Sequence, residues 1–123
     1  MIRHPIFAFG SNLDGGQMIA RCPGAVEVGP ARAYGRRLAF GSRQHVATGA
    51  ATLVPAPPGV WTDGVVWTVD DVDLDRLDAC EGVPIVYGRH ILRVTIPDGI
   101  DVPVWAYTLV EWRGPALPAP AYL

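Results

Sequence analysis

The sequence predicts an α+β fold in which short strands outnumber helices. Its 123 residues include 14 glycines and 12 prolines. These lie all along the chain, a distribution that favours many short strands and turns over a helical bundle. Half of the residues are apolar, which is enough for a folded core. Only the segment 70–81 has a convincing helical pattern, and we expect one domain spanning residues 1–123.

Several segments have the composition of strands. The first is the apolar run 6–9, which ends at the turn-forming Gly10. Further strands are predicted at 31–34, 37–40, 49–54, 64–69, 89–96 and 102–109, and a short helix at 17–21. In the clearest strand the residues alternate between two faces, with Val65, Trp67 and Val69 on one of them.

The main predicted helix has signals at both ends. Asp70 or Asp71 is placed to cap its first turn, where the helix dipole also favours negative charge. Gly82 followed by Pro84 is a stop signal. The helix therefore ends at Glu81.

Glu81 is the carboxylate of this helix that we expect to point inward. It follows Leu74 and Leu77 at a spacing of i, i+3 and i+7, so the three side chains share one face. Burial and the negative end of the helix dipole both raise the pKa of a carboxyl, as a general acid and base working near neutral pH requires. The spacing equally allows a structural pair with an arginine such as Arg89, or a frayed last turn that exposes the side chain to water.

The composition argues against several function classes. The net charge is −2 and the ten cations are all arginines, mostly scattered singly, so we expect no nucleic-acid partner. Lysine is absent, which excludes Schiff-base chemistry on this chain, and the histidines have no recognised zinc spacing. There is no membrane-spanning apolar run and no signal segment. We therefore expect no metal, no membrane association and a cytoplasmic location.

The two cysteines, Cys22 and Cys80, are expected to be buried thiols because the chain lacks a secretion signal. Cys80 is the alternative candidate nucleophile, with His45 or His90 as its base. A helix C-terminus raises the pKa of a thiol, however, and no local signature accompanies it. Packing is the expected role of both cysteines.

The first strand ends in a tight polar loop made of Gly10, Ser11 and Asn12. Glycine accepts positive φ angles, and Ser and Asn bond local backbone, so successive N–H groups can face one concavity. Such a loop suits a carboxylate or a developing oxyanion. The same tripeptide is also compatible with an ordinary turn.

Two segments resemble motifs of the γ-glutamylcyclotransferase family. The segment 9–12, Phe-Gly-Ser-Asn, is similar to that family's Tyr-Gly-Ser-Asn loop, and 77–82 with Tyr87 and Arg89 is similar to its Leu-Asp-x-x-Glu-Gly...Tyr-x-Arg segment. Between them, the segments 21–23, 37–40 and 64–67 are also similar in type and order. The resemblance covers nearly the whole chain.

This resemblance implies a small mixed β-barrel with flanking short helices. It implies an enzyme without metal or cofactor, acting on small γ-glutamyl amides whose own α-amine attacks the γ-carbonyl to give 5-oxoproline and a free amine. Glu81 would be the catalytic acid and base. The substrate-binding residues would be Phe9, Gly10, Ser11, Asn12, Leu13 and Tyr87. Tyr87 either bonds Glu81 or the substrate, or packs its ring against the barrel.

The chain departs from the family pattern at two places. Phe9 stands where the family has tyrosine, which removes a hydroxyl group. Relatives run on past a Pro-x-x-x-Tyr segment into a helix, whereas this chain stops after 118–123, so the pocket is expected to be more open or covered by a second subunit. The chain is expected to be a monomer or a homodimer, with Trp112 a candidate contact.

Several functions remain open at this stage. The Gly-Ser-Asn loop favours γ-glutamyl amino acids over γ-glutamyl amines as substrates, because the amine-specific branch of the family has Gly-Thr-Leu there. The composition indicates a GC-rich bacterial source, in which such enzymes also remove γ-glutamyl groups in specialised pathways. The alternative is a non-catalytic module on the same fold that binds a small ligand or a protein.

Overall fold

The computed structural model of the protein describes residues 2–10, 15–40 and 51–110. Within these ranges the elements follow one another as β1 (His4–Ala8), α1 (Gly15–Arg21), β2 (Val26–Tyr34), β3 (Arg36–Phe40), β4 (Ala51–Pro55), β5 (Trp61–Val69), α2 (Asp71–Cys80), β6 (Tyr87–Thr95) and β7 (Asp101–Leu109). Strands therefore dominate and the two helices are short, as the sequence predicts.

Five of these strands form a closed barrel in the order β1, β5, β2, β6, β7. Neighbouring strands are antiparallel except at the closure, where β7 pairs with β1 in parallel through Trp105 and Ile6. The remaining pair, β3 and β4, forms a separate antiparallel sheet. The predicted small mixed barrel with flanking short helices is confirmed.

The barrel strands carry apolar side chains on both faces. In β1, Ile6 and Ala8 belong to a core between the barrel and the helices, while Phe7 belongs to a second core inside the barrel. In β5, Trp67 contributes to the first core and Val66 to the second. The predicted alternation in β5 is therefore confirmed, and both faces of these strands are buried because helices cover the outer one.

Some strands are longer than the apolar pattern predicts. β2 begins at Val26 rather than at 31, because its antiparallel pairing with β5 continues to Thr68 across a bulge near Gly29. Pairing extends a strand through polar and exposed positions that carry no apolar signal. Residues 49–50 of the predicted fourth strand lie outside the described part of the chain.

Helix α2 has the ends that the sequence predicts. The Asp70 carboxylate accepts a hydrogen bond of 2.8 Å from the backbone N–H of Asp73 and caps the first turn. Glu81 is the residue at the C-terminal cap, and Gly82 follows with φ of +68°. No helix in the described ranges has both the length and the apolar character that crossing a membrane requires.

We expect Gly64→Ala to destabilise the barrel. A Cβ at residue 64 would lie 2.5 Å from the Ala8 carbonyl oxygen and 2.5 Å from the Phe7 ring, both buried in the barrel wall. Relieving such overlap in a packed core costs about 1–3 kcal/mol. Urea unfolding would measure the loss, with Gly59→Ala as control because a Cβ there meets nothing within 4 Å. Equal stabilities of the two variants would contradict this account of the packing.

Candidate active site

Glu81 lies at the end of α2 with its side chain turned inward. Leu74 and Leu77, which share its face, are buried in the core between helices and barrel. The backbone N–H of Glu81 donates to the Leu77 carbonyl oxygen at 2.9 Å, so the last helical turn is intact rather than frayed. The Glu81 side chain is only 10% exposed. The helix spacing therefore places this carboxylate as predicted.

The partner of Glu81 is Arg21 and not Arg89. Arg21 Nη1 donates to Glu81 Oε2 at 3.0 Å. Arg21 ends α1, which lies against α2 through the contact of the Cys22 thiol with the Asp73 carbonyl oxygen at 3.6 Å. The alternative of a pair with an arginine is therefore observed, but the arginine is Arg21 and not Arg89, because sequence spacing does not reveal that α1 packs against the end of α2.

Arg89 is held by a different carboxylate of the same helix. Its Nε donates to Asp78 Oδ1 at 2.8 Å and its Nη2 donates to Asp78 Oδ2 at 3.1 Å. The Tyr107 hydroxyl donates to Asp78 Oδ1 at 2.7 Å, and the Arg89 guanidinium lies 4.2 Å from the centre of the Trp105 ring. Asp78 therefore fastens the end of α2 to β6 and β7.

Burial raises the pKa values of Glu81 and of two tyrosines near it. Burial raises the pKa of the Glu81 carboxyl, and the nearby Arg21 guanidinium offsets part of that rise. Burial, together with the Glu81 charge, raises the pKa of Tyr87 to about 12. Burial and the hydrogen bond to Asp78 raise the pKa of Tyr107 well above its usual range. Both tyrosines therefore stay neutral around a carboxyl whose proton affinity is raised.

Tyr87, the first residue of β6, contacts the segment that packs against the end of β1. Its ring is buried, and its hydroxyl donates to the Ala51 carbonyl oxygen at 2.9 Å. Ala51 in turn abuts Gly10, because a Cβ at Gly10 would lie 3.2 Å from the Ala51 Cβ. Gly10 has φ of +68°, the conformation that glycine supplies in a tight turn. Gly10, Ala51 and Tyr87 are therefore successive neighbours, and the charge of Glu81 acts on Tyr87.

The other predicted binding residues are only partly described. Phe9 is buried inside the barrel, where its ring stacks on Phe7 at a centroid distance of 5.9 Å. Ser11, Asn12 and Leu13 lie outside the described residues. The binding roles of all four stay predictions.

A cavity of about 210 Å³ lies beside Gly10. Its lining includes Phe9, Glu27, Asp63 and Trp67, and it does not include Glu81. Among the residues that the structure describes, no group of three histidine, cysteine or acidic side chains is gathered to hold a metal ion.

The cysteines differ from their predicted placement in one respect. Cys22 is buried, and burial raises the pKa of its thiol to about 11, so it is protonated at neutral pH. Cys80 is exposed, which corrects the expectation that both thiols are buried. Its position on α2 explains the difference, because the inward face there is formed by Leu77 and Glu81. Of the two histidines proposed as a base for a cysteine nucleophile, His90 is exposed and His45 lies outside the described residues.

Sequence reasoning missed three residues around Glu81, namely Arg21, Asp78 and Tyr107. Arg21 belongs to the segment 21–23, whose residue types and place in the chain order are similar to those of the family. Nothing in the spacing of Arg21, however, identifies Glu81 as its partner. Asp78 and Tyr107 meet only because the end of α2 rests on β7. No periodicity encodes such a contact.

Comparisons with known proteins show the family to which this chain belongs. The family described as "Gamma-glutamyl cyclotransferase, AIG2-like" matches residues 6–121. Proteins named gamma-glutamylcyclotransferase from Mus musculus and Homo sapiens are each 32% identical to this chain, covering 94% of it and 64% of their own length. The chain thus spans less than two thirds of these curated relatives.

Solved structures share the fold. A structure named gamma-glutamyl cyclotransferase has a TM-score of 0.82 and 28% identity, covering 91% of this chain and 69% of its own. The crystal structure of an AIG2-like protein from Mus musculus has a TM-score of 0.74 at 22% identity, covering 98% of this chain and 86% of its own, and shows the fold alone. With a barrel of this topology and a match over nearly the whole sequence, this chain belongs to the γ-glutamyl cyclotransferase, AIG2-like family.

Proposed function

We propose that the protein is a γ-glutamyl cyclotransferase in which Glu81 is the catalytic acid and base. The observation that carries this proposal is the inward carboxylate of Glu81 at the end of α2. Burial raises the pKa of this carboxyl, and its charge acts on Tyr87, whose hydroxyl bonds Ala51 beside Gly10. A carboxyl with raised proton affinity suits an acid and base that works near neutral pH.

The substrate class is the one that the family implies, and its chemistry suits such a site. A γ-glutamyl amide carries both the attacking α-amine and the γ-carbonyl, so ring closure needs mainly a folded substrate and a proton carrier. The backbone N–H groups of Gly10, Ser11 and Asn12 would hold the α-carboxylate or the developing oxyanion of the glutamyl group. Neither a metal nor a cofactor takes part in the proposed reaction.

The proposed reaction moves protons between two nitrogen atoms through Glu81. Glu81 accepts a proton from the substrate's α-ammonium group, and the freed amine bonds to the γ-carbonyl carbon. The bond from that carbon to the leaving nitrogen then breaks. Overall the ammonium nitrogen loses two protons and the leaving nitrogen gains two, giving 5-oxoproline and a free ammonium compound without consuming water.

The leaving amine is proposed to be an amino acid. Its basis is the Gly-Ser-Asn loop, which resembles the branch of the family that acts on γ-glutamyl amino acids rather than γ-glutamyl amines. The same reaction could serve one specialised pathway, in which the enzyme removes a γ-glutamyl group from a single intermediate. A bacterial source, a cytoplasmic location and a monomeric or homodimeric state complete it. The candidate contact Trp112 and the C-terminal segment 118–123 lie outside the described residues.

A non-catalytic binding module on the same fold is the second candidate. The ion pair between Arg21 and Glu81 favours it, because a paired carboxylate can serve structure alone. The cavity beside Gly10, whose lining lacks Glu81, also favours it. The two candidates differ in whether 5-oxoproline forms.

We expect the purified protein to release 5-oxoproline from γ-glutamyl amino acids, and Glu81→Gln to lower that release by about 10²–10⁴-fold, the usual contribution of a general acid and base. Mass spectrometry of 5-oxoproline from a panel of γ-glutamyl amino acids and γ-glutamyl amines would measure it. Asp75→Asn is the matched control, because it removes a carboxylate from an exposed position of the same helix.

Two results would contradict this proposal in different ways. Release that persists in Glu81→Gln removes Glu81 from the mechanism. No release from any member of the panel, combined with a thermal shift on adding 5-oxoproline, favours the binding module.

We also expect Glu81→Gln to melt at a temperature no lower than the parent protein at pH 7. The pKa of Glu81 is raised above its ordinary value of 4.5, so its charged form costs stability at a pH above the folded pKa. That cost disappears as the pH falls through the folded pKa and the carboxyl takes up its proton. The advantage of glutamine should therefore vanish by about pH 4.5, in calorimetric scans from pH 4 to pH 8. A variant less stable than the parent at pH 7 would show instead that the charged carboxylate stabilises the fold.

A further inference from the structure

We propose that Arg21 is a positioning residue for Glu81, whose guanidinium holds Oε2 and leaves Oε1 as the oxygen that exchanges protons with the substrate. The inference rests on the proposed function and goes beyond it, because it assigns different tasks to the two oxygens of one carboxylate.

Asp78 shows what a structural carboxylate looks like in this protein. Its Oδ1 accepts hydrogen bonds from Arg89 Nε and the Tyr107 hydroxyl, and its Oδ2 accepts one from Arg89 Nη2. Both oxygens are thus satisfied by donors from two barrel strands. Buried polar groups are normally paired in this way, because leaving one unpaired costs about 1–3 kcal/mol.

Glu81 lies one turn further along the helix and differs from Asp78. Its side chain is half as exposed as that of Asp78, at 10% against 21%. Within the described part of the chain, the donor to its carboxylate is Arg21, and that bond goes to Oε2. Oε1 has no described donor. A nearly buried carboxylate with one satisfied oxygen is what a site needs if the other oxygen must remain open to substrate.

Arg21 itself is firmly placed. The adjoining Cys22 is fully buried, and its N–H donates to the carbonyl oxygen of the equally buried Met18 at 2.8 Å. The backbone of Arg21 is therefore anchored while its side chain remains 32% exposed, at the boundary between the helix pair and solvent. A guanidinium in this position fixes the orientation of the carboxylate without covering it.

The other charged and titratable groups near Glu81 do not replace Arg21. Tyr87 on β6 and Tyr107 on β7 are neutral near pH 7, because the pKa of each is raised. On α2 itself the Asp78 carboxylate is engaged by Arg89 of β6 through a two-point contact. Arg21 from α1 is the cation that lowers the pKa of the Glu81 carboxyl.

Removing the Arg21 charge should therefore change the protonation of Glu81 in a defined direction. The pKa of the carboxyl rises, so less of it is the carboxylate that accepts the substrate's proton. The acidic limb of the pH profile of kcat/KM then moves to higher pH. Because an adjacent opposite charge typically shifts a carboxyl pKa by one unit or more, we expect a shift of about one unit in Arg21→Gln.

Carbon-13 NMR of the full chain tests this independently of activity. The chain has three glutamates, Glu27, Glu81 and Glu111, so labelling glutamate at the side-chain carboxyl gives few resonances, and Glu81→Gln assigns the one of interest. The titration midpoint of Glu81 should rise in Arg21→Gln and in Arg21→Met, which keeps the unbranched stem. It should stay near the parent value in Arg21→Lys, which keeps the charge.

Arg76→Gln is the matched control. It removes one arginine and its ion pair with Asp73 from the same helix pair, and Arg76 is not among the charges that shift the pKa of Glu81. We expect neither the Glu81 midpoint nor the acidic limb of kcat/KM to move in this variant. Thermal unfolding of every variant shows whether a change in activity reflects loss of the fold.

The outcomes separate the two proposals. The role of Arg21 is supported if the Glu81 midpoint and the acidic limb of kcat/KM both move to higher pH in Arg21→Gln and Arg21→Met. Both should return to near the parent values in Arg21→Lys. An active parent protein whose midpoint and limb are unchanged in Arg21→Gln and Arg21→Met overturns that role and leaves the proposed function intact. A parent protein that releases no 5-oxoproline overturns the proposed function, and the catalytic role of Arg21 with it.

Discussion

The pairing of β1 with two neighbours at once is the constraint on which the rest of the structure depends. β1 pairs with β5 on one side and with β7 on the other, and the second contact closes the barrel. Because successive side chains of a strand point to opposite faces, Ile6 joins the core under the helices while Phe7 fills the barrel. A five-residue strand thereby takes part in both cores, and its end delivers Gly10 to the neighbourhood of Ala51 and Tyr87.

The helix end is placed by a separate set of contacts. Leu74 and Leu77 bury one face of α2, and Asp78 ties its last turn to β6 and β7 through Arg89 and Tyr107. These contacts fix where Glu81 can be, whereas Arg21 bears on how its carboxylate is oriented. Position and orientation of the candidate catalytic group thus come from different elements, the barrel and α1 respectively.

The limits of sequence reasoning follow from the same division. Features encoded locally were predictable: the cap at Asp70, the stop at Gly82, the alternation along β5 and the inward face that carries Glu81. These depend on helix and strand periods that the sequence displays directly. The closed barrel came from family resemblance, because strand order is a matter of long-range pairing that periodicity does not encode.

Tertiary contacts were the part that could not be predicted. The pairs Arg21 with Glu81 and Arg89 with Asp78 join residues 60 and 11 positions apart, and only the packing of α1 and β6 against α2 selects them. The exposure of Cys80 is different, because it follows from the helix period that turns Leu77 and Glu81 inward and Cys80 outward. The extra residues at the start of β2 reflect hydrogen bonding to β5 and not an apolar signal.

Asp78 and Glu81 have separate partners, so a change at one of them need not disturb the other. The carboxylate that fastens the helix and the carboxylate proposed to handle protons are different residues, one turn apart, each with its own arginine. Replacing the second need not loosen the first, so chemistry and architecture can be gained or lost separately. In a scaffold arranged in this way, loss of the Glu81 carboxylate leaves the contacts of Asp78 with Arg89 and Tyr107 in place.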